Sequence, residues 1–509
     1  MKRIIIATTL MATGLVALAQ TEDDALRFSV DRFSGTARSV ALSGAVGALG
    51  GDYTSIGVNP AGIAVYRSSE FTFTPSFNYN TSSTNYYKTK GNDDKFYVPL
   101  QQIGYVGTFM PMRDATNGIV SSHFSIGYNK TNNFSRRSFF QAEGLSTSML
   151  DTYVLGVSGD NFYDPYYNWA TGSNLIFSSE AAGTYLNAFE YLDKNNKIIR
   201  TNVGIDQSRV LHERGGAGDF NIAAGANVSN KLMFGGSFAV SHSSYRSELQ
   251  HAEAVSGGVR QYPQAYREYH GDAGALDNYI MNEELEVTGI GVNLKVGVIY
   301  KPVNSVRIGA AFHSPTFYSF DESYATSGVA EYYYDGKMLI GNSERERGEN
   351  SYNFRTPFKG VGSLAYIFDR KGLVSVDYEY TDYSAMQFVS QYSNVSDKQW
   401  ANDLNKTIRS TFRPTHNLRF GAEFKPTEVF TLRGGYGLIQ NPYQSKYLNS
   451  SNKYQTFSFG IGYRANAMFI DAAYMLRNEK YIYSLYYDAN VAEITNNNHQ
   501  LAVTLGWRF

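Results

Sequence analysis

The chain has 509 residues, no cysteine and a formal net charge of -1, which excludes disulfides, thiolate metal sites and a lipid-modified cysteine and argues against a nucleic-acid partner. A hydrophobic fraction of 43% and a mean hydropathy of -0.34 resemble a soluble protein, yet a membrane barrel with a polar lumen and long loops has the same average. The 41 Tyr and 32 Phe exceed what a globular domain needs and suit the aromatic girdles of such a barrel.

In chain order, residues 1–19 read as a signal peptide. Met1-Lys2-Arg3 is a basic start, Ile4 to Leu18 an apolar core and Ala17-Leu18-Ala19 a small-residue cleavage site, so the mature chain is expected to begin at Gln20. Gly, Ser, Asn and charges interrupt every later apolar run before the roughly 20 residues a spanning helix requires. A closed barrel is then the way to satisfy backbone polar groups within a bilayer.

Residues 20–68 do not alternate. Small residues dominate from Ser34 to Gly62, and small side chains allow tight packing in a confined space, so this segment is expected to plug the lumen. Asn59-Pro60-Ala61-Gly62 is a turn in which Asn bonds its own backbone, Pro fixes φ, and Ala-Gly lets the chain run close to a wall.

From residue 69 onward a period of two recurs. Ile290, Val292, Leu294, Val296 and Val298 share one strand face while Gly291, Asn293, Lys295 and Gly297 share the other. Such segments number about fourteen: 70–80, 100–111, 118–131, 212–228, 231–248, 284–301, 304–322, 351–368, 372–388, 411–425, 428–440, 453–464, 467–483 and 496–509. Short connections alternate with long ones (81–99, 132–211, 249–283, 323–350 and 389–410), as periplasmic turns and extracellular loops do, which predicts that both termini are periplasmic. The last strand carries Leu501, Val503, Leu505, Trp507 and Phe509 on one face, and its aromatic end suits a C-terminal assembly signal at Trp507 and Phe509. The fold class is therefore all-β, a 14-stranded antiparallel transmembrane barrel with an N-terminal hatch.

The longest loop holds two apolar stripes at helical spacing, Leu150, Tyr153, Val154 and Val157, then Ala182, Tyr185, Leu186, Phe189 and Leu192. Between them lie Phe162, Tyr163, Tyr166, Tyr167 and Trp169. Tyr153, Phe162, Tyr166, Tyr167, Trp169, Tyr185 and Phe189 are candidates for ligand capture; packing of a loop lid against the barrel rim is an equal reading. Pro75, Pro315 and Pro357 fall inside strands and mark places where pairing can break. Lys295, Arg307, Arg419, Arg433 and Arg464 have lumen phase and are expected to pair with lumen acids such as Asp377, Glu379, Glu423 and Asp471 rather than with a ligand. His123 and His313 read as lumen hydrogen-bonders. There is no nucleophile elbow at a strand-to-helix turn, His-Glu-x-x-His or phosphate loop, so neither catalysis nor a metal or cofactor is expected, and Glu344 to Arg347 reads as a solvated charge run in a loop.

The small-residue run, Asp52 and Asn59-Pro60-Ala61-Gly62 before fourteen alternating strands resemble the FadL/TodX family of outer-membrane transporters. The resemblance implies passive uptake of a long-chain fatty acid, an aromatic hydrocarbon or another hydrophobic small molecule in the outer membrane of a Gram-negative bacterium. Cargo would be captured by loops, pass to a lumen pocket and leave sideways near a kink in the third strand, about Gly118 to Thr131. Outer-membrane lipid and the barrel-assembly machinery are the other implied partners. A hemin-binding receptor and a barrel serving as an adaptor or anchor in secretion or surface attachment are the alternatives. A non-specific porin conflicts with the plug.

Overall fold

The computed structural model describes residues 20–509 except 112–116, 158–164, 271–273, 335–336, 370, 392–394, 448, 450–453 and 487–488. The expected signal peptide and Phe162 lie outside the described residues. Among the described residues no helix is long and apolar enough to cross a membrane.

Fourteen antiparallel strands close into a barrel. They are β1 (Glu70–Tyr86), β2 (Thr89–Tyr97 and Leu100–Phe109), β3 (Ile119–Asn133 and Arg136–Leu145), β4 (Ile205–Val228), β5 (Leu232–Val255), β6 (Ala275–Val303) and β7 (Val306–His313 and Phe317–Tyr334). The second half comprises β8 (Lys337–Arg355 and Lys359–Phe368), β9 (Gly372–Asp382), β10 (Pro414–Phe424), β11 (Phe430–Ile439), β12 (Tyr454–Ala465), β13 (Met468–Ser484) and β14 (Val491–Arg508). Closure comes from β14 on β1, with Phe71 opposite Trp507, Phe73 opposite Leu505 and Phe77 opposite Leu501. The terminal Phe509 N–H donates to Ser69 O at 3.0 Å.

The dyad reading holds in space. Ile290, Val292, Leu294 and Val296 are exposed on the outer wall, where lipid acts as their solvent, while Asn293 is buried inward. Tyr–His contacts rim the belt toward the long loops: Tyr378 with His416, Tyr474 with His499, and Tyr128 with His242.

Three expectations change. Much of 81–99 and 323–350, read as loops, is strand, because β1–β2 and β7–β8 continue as hairpins above the belt; Glu344 to Arg347 accordingly lies in β8. Backbone ladders continue above the belt, where the outward side chains meet water and carry no hydrophobic period to reveal them. The stripe from Ala182 to Leu192 is not a helix: Ile176–Ser179 pairs with Thr184–Asn187 around Gly183 at φ +66°, and Glu190–Leu192 pairs with Ile198–Arg200. Short apolar runs fit either period, and the turn glycine decides for the hairpin. Finally, Gln20 does not lie at the short-turn end, where both termini were expected; it is buried in the bore toward the long loops, its amide donating to Glu322 at 2.8 Å. The segment after it runs down the bore to reach β1 at the short-turn end.

Candidate functional site

That descending segment forms three helices, α1 (Glu22–Ser29), α2 (Ala37–Ala41) and α3 (Tyr53–Val58), then a 3-10 turn from Pro60 to Val65. Thr21 and Asp24 make a capping box on α1. Asp52 caps α3 through the N–H groups of Thr54 and Ser55 and also accepts the hydroxyls of Thr36 and Ser39, which ties α2 to α3.

Asn59 is the hub of the predicted turn. Its Oδ1 accepts from Ala61 N at 3.1 Å, and its Nδ2 donates to Gly47 O at 2.8 Å and to Val298 O of the wall at 3.2 Å. The wall is hollowed to receive it. A Cβ on Gly297 would lie 1.9 Å from Asn59 Oδ1, one on Gly235 2.2 Å from Pro60 O, and one on Gly104 2.2 Å from the Tyr53 ring. Lumen side chains then take up hatch backbone: Asp377 accepts from Val46 N and Gly47 N at 3.0 and 2.8 Å, Thr504 accepts from Ala37 N at 2.7 Å, and His313 bonds Val58 O at 2.8 Å. Burial works against the charge of Arg38, but Glu423 and Asp52 outweigh it and hold the guanidinium above its ordinary pKa.

The lumen cations are mostly spent on this architecture. Lys295 pairs with Asp219 at 2.8 Å, Arg419 with Glu379 at 2.9 Å, Arg433 with Glu423 and Asp471, and Arg307 donates to Leu49 O. Beneath the hatch a cavity of about 280 Å³ is lined by such charged groups, so its chemistry suits water rather than a greasy cargo. His123 bonds Ser121 and Thr108.

Higher in the bore the chemistry reverses. Phe28 of α1 packs into an aromatic chamber, its ring 4.5 Å from Phe320, 6.2 Å from Phe134 and 6.5 Å from Tyr245. Tyr318, Tyr352, Phe354 and Phe388 extend the walls, and Ile408 from α7 (Val395–Thr411) with Phe412 closes the side toward the loops. These residues were not singled out from sequence, although Tyr318, Phe320, Tyr352 and Phe354 lie on the inward phase of β7 and β8.

The loop cap above has its own core. Trp169 and Phe189 are 0% and 1% exposed, packed with Leu150, Tyr266, Tyr279 and Tyr332. Tyr153 and Tyr185 are half-buried at its edge. Tyr153 lies in α4 (Met149–Val157), while Tyr166 and Tyr167 lie in α5 (Pro165–Gly172). Glu253 of β5 accepts from Met149 N at 2.8 Å and from the Ser148 hydroxyl, which pins the start of α4 to the wall. His270, at the end of α6 (Gln264–His270), is held below the ordinary imidazole pKa by burial, partly offset by its bond to Glu190 O.

One part of the wall is split. β2 and β3 pair from Phe109–Ser122 up to Gln102–Asn129, and above that the upper segment of β2 pairs with β1 while the upper segment of β3 pairs with β4. Pro99 interrupts β2 where the split begins, beside the register shift at Pro75. Past the split β3 runs inside β1: Asn80 donates to Ser135 O at 3.0 Å, and the Ser82 and Ser138 hydroxyls are 3.1 Å apart. The bend itself is held by the hatch. Arg32 N donates to Thr131 O at 2.9 Å, Ser34 to Lys130 O at 2.7 Å, and Asn132 to Val30 O at 2.6 Å. Gly127 lies below the bend, against Tyr53. Pro315 and Pro357 also break their strands at one height, but Thr316 and Thr356 stitch that gap with bonds of 2.8 and 3.1 Å.

Solved structures share this fold. A Pseudomonas aeruginosa FadL homologue matches at 12% identity with a TM-score of 0.55, covering 94% of this chain and 100% of its own. The P. putida toluene transporter TodX matches at 15% and 0.53, covering 94% and 98%, and the monoaromatic hydrocarbon channel CymD at 12% and 0.52, covering 94% and 99%. At these identities the likeness shows the fold. No curated protein matches the sequence. The model of the outer membrane protein transport family OMPP1/FadL/TodX matches residues 219–503, more than half of the chain. The chain therefore belongs to the OMPP1/FadL/TodX family of outer-membrane transport proteins, whose barrels carry hydrophobic substrates.

Proposed function

We propose that the protein passively carries a hydrophobic small molecule, a long-chain fatty acid or a molecule of similar character, from the cell exterior into the outer membrane. The carrying observation is that the aromatic chamber adjoins the split between β2 and β3, with the hatch touching both. Cargo enters through the cap, whose aromatic residues Tyr153, Trp169, Tyr185 and Phe189 offer an apolar landing surface once the cap parts. It then takes the place of Phe28 and the apolar face of α1 in the chamber. Each methylene that leaves water contributes about 0.8 kcal/mol, so no external energy source is needed. Displacing α1 loosens the hatch contacts at residues 130–133, the bend of β3 relaxes, and the cargo leaves sideways. The names of the similar structures, a FadL homologue, a toluene transporter and a monoaromatic hydrocarbon channel, support an apolar cargo.

The chain has no cysteine, which makes a staple clean. Ser82→Cys with Ser138→Cys joins β1 to the upper segment of β3, the hydroxyls being 3.1 Å apart. Uptake of labelled oleate by a transporter-deficient host is expected to fall when the pair is oxidised and to recover on reduction. Equal uptake in both states rejects the sideways exit.

A further inference from the structure

Above the aromatic rim, the outer wall beside the split carries an unusual gathering of basic side chains. Lys130 of β3 follows Tyr128 on the lipid-facing side, next to the Phe220 and His242 rings. Higher up, Arg137 of β3 stands opposite His212 of β4, and Arg214 of β4 opposite Arg246 of β5. Lys95 leans in from the overlapping β2 ribbon, its Nζ 2.7 Å from His212 Nε2 and 2.9 Å from Glu213 O.

Acids neutralise only part of this cluster. Asp93 lies 3.4 Å from Arg137, Glu248 is shared among Arg214, Arg246 and His212, Glu284 takes Arg246 at 3.7 Å while serving Arg345, and Glu286 stands opposite Arg246 on β6. Among the described residues Lys95 has no carboxylate partner and the Lys130 ammonium has no hydrogen-bond or ion-pair partner. Mutually repelling cations persist on a wall when something outside it supplies the counter-charge.

The same height on the far side of the β1 hairpin shows that the pattern is local. Outward positions there are Thr81, Ser83, Asn478, Thr495 and Asn497, all uncharged, with one cation, Lys480, opposite Thr495 and the acid Glu493 diagonal to it. The cluster also sits at a defined boundary. Below it the outer face is apolar, with Phe220, Ile222 and Phe238 exposed to lipid. A ligand that fits both parts has an anionic head and acyl chains.

We propose that Lys95, Lys130, Arg137, Arg214 and Arg246 form a binding site for the phosphate-bearing headgroup of an outer-leaflet lipid, held against the split in the wall. The phosphate accepts from the Arg forks and the Lys ammoniums, and the acyl chains lie along the apolar face beneath. Such a lipid sits at the place where β2 overlaps β3, and it stands apart from the identity of the cargo in the bore.

The test uses the full-length protein in mild detergent, a bis-phosphorylated glycolipid, and the same lipid after phosphatase treatment. Native mass spectrometry is expected to show the phosphorylated form retained about tenfold more than the dephosphorylated form. Lys130→Gln with Arg137→Gln and Arg214→Gln is expected to abolish that preference, and Arg345→Gln, on the charge-balanced face, to keep it. Lys130→Gln alone breaks no ion pair and is expected to lower the preference, which covers the case in which the triple variant fails the heat-modifiable mobility test of a folded barrel. Equal retention of the two lipids by the wild type, or an unchanged preference in Lys130→Gln and in the folded triple variant, overturns the site. Displacement of the lipid by millimolar inorganic phosphate also overturns it, by showing a free-anion site in place of a lipid site.

Discussion

The hatch meets the barrel in two different ways along its length. From Ala37 to Val65 it is held by shape and directional bonds: backbone and small side chains against wall glycines, with Asp377, Thr504 and His313 taking up its polar groups. From Glu22 to Ser29 it is held by ring packing in an aromatic chamber. Directional contacts against a fitted wall admit one occupant, whereas non-directional apolar burial accepts any greasy surface of suitable size. In the proposed route the lower part is the seal, and the upper part is the place where cargo competes.

The largest test of this contrast is removal of residues 20–60. Single-channel conductance in planar bilayers is expected to rise from near closed to that of an open pore, and an unchanged conductance would place the seal elsewhere. Next comes Gly297→Val. Its side chain would overlap Asn59, so bursts of conductance and reduced oleate uptake are expected, whereas Gly362→Ala, at a site with nothing within 4 Å, leaves both unchanged. Asn59→Ala with Pro60→Ala should act in the same direction by removing the bonds to Gly47 O and Val298 O.

Phe28→Ala sharpens the contrast by touching only the upper part. It is expected to weaken docking of α1 by about 3 kcal/mol, seen as faster hydrogen exchange over residues 22–29 with protection of residues 36–62 retained. Loss of protection in both would show that the hatch is one unit. The smallest effect concerns the cap. Burial holds the His270 pKa below its unfolded value near 6.5, so an opened cap binds more protons and cap stability falls as the pH drops below that value. Exchange over residues 184–192 and 264–270, corrected for intrinsic rates, should accelerate on acidification, and His270→Gln should flatten that dependence.

Much of this was legible in the residues. The strands announced themselves through alternation, and three of the lumen cations found acids, Lys295 with Asp219, Arg419 with Glu379 and Arg433 with Glu423 and Asp471, whereas Arg307 met hatch backbone. Asn59 and Pro60 marked a turn close to a wall, and the Gly-rich inward phases of β5 and β6 were the matching signal on the other side. The cap was read less well. Spacing within 182–192 fitted a helix as well as two hairpins, and Gly183 was the one residue that separated them. Pro99 lay in a stretch read as loop, so the start of the split passed unnoticed while Pro315 and Pro357, which are stitched, drew attention.

The sequence by itself determined the barrel, its outward and inward faces and the small-residue plug, because lipid and lumen act on each residue separately and leave a period of two in the chain. Only the tertiary structure decided where the plug begins, which aromatic residues form the chamber and which pair of strands parts. Those features join residues such as Val30 and Asn132, or Phe28 and Phe320, that are distant in the chain, and no local pattern records which of many compatible partners a side chain meets.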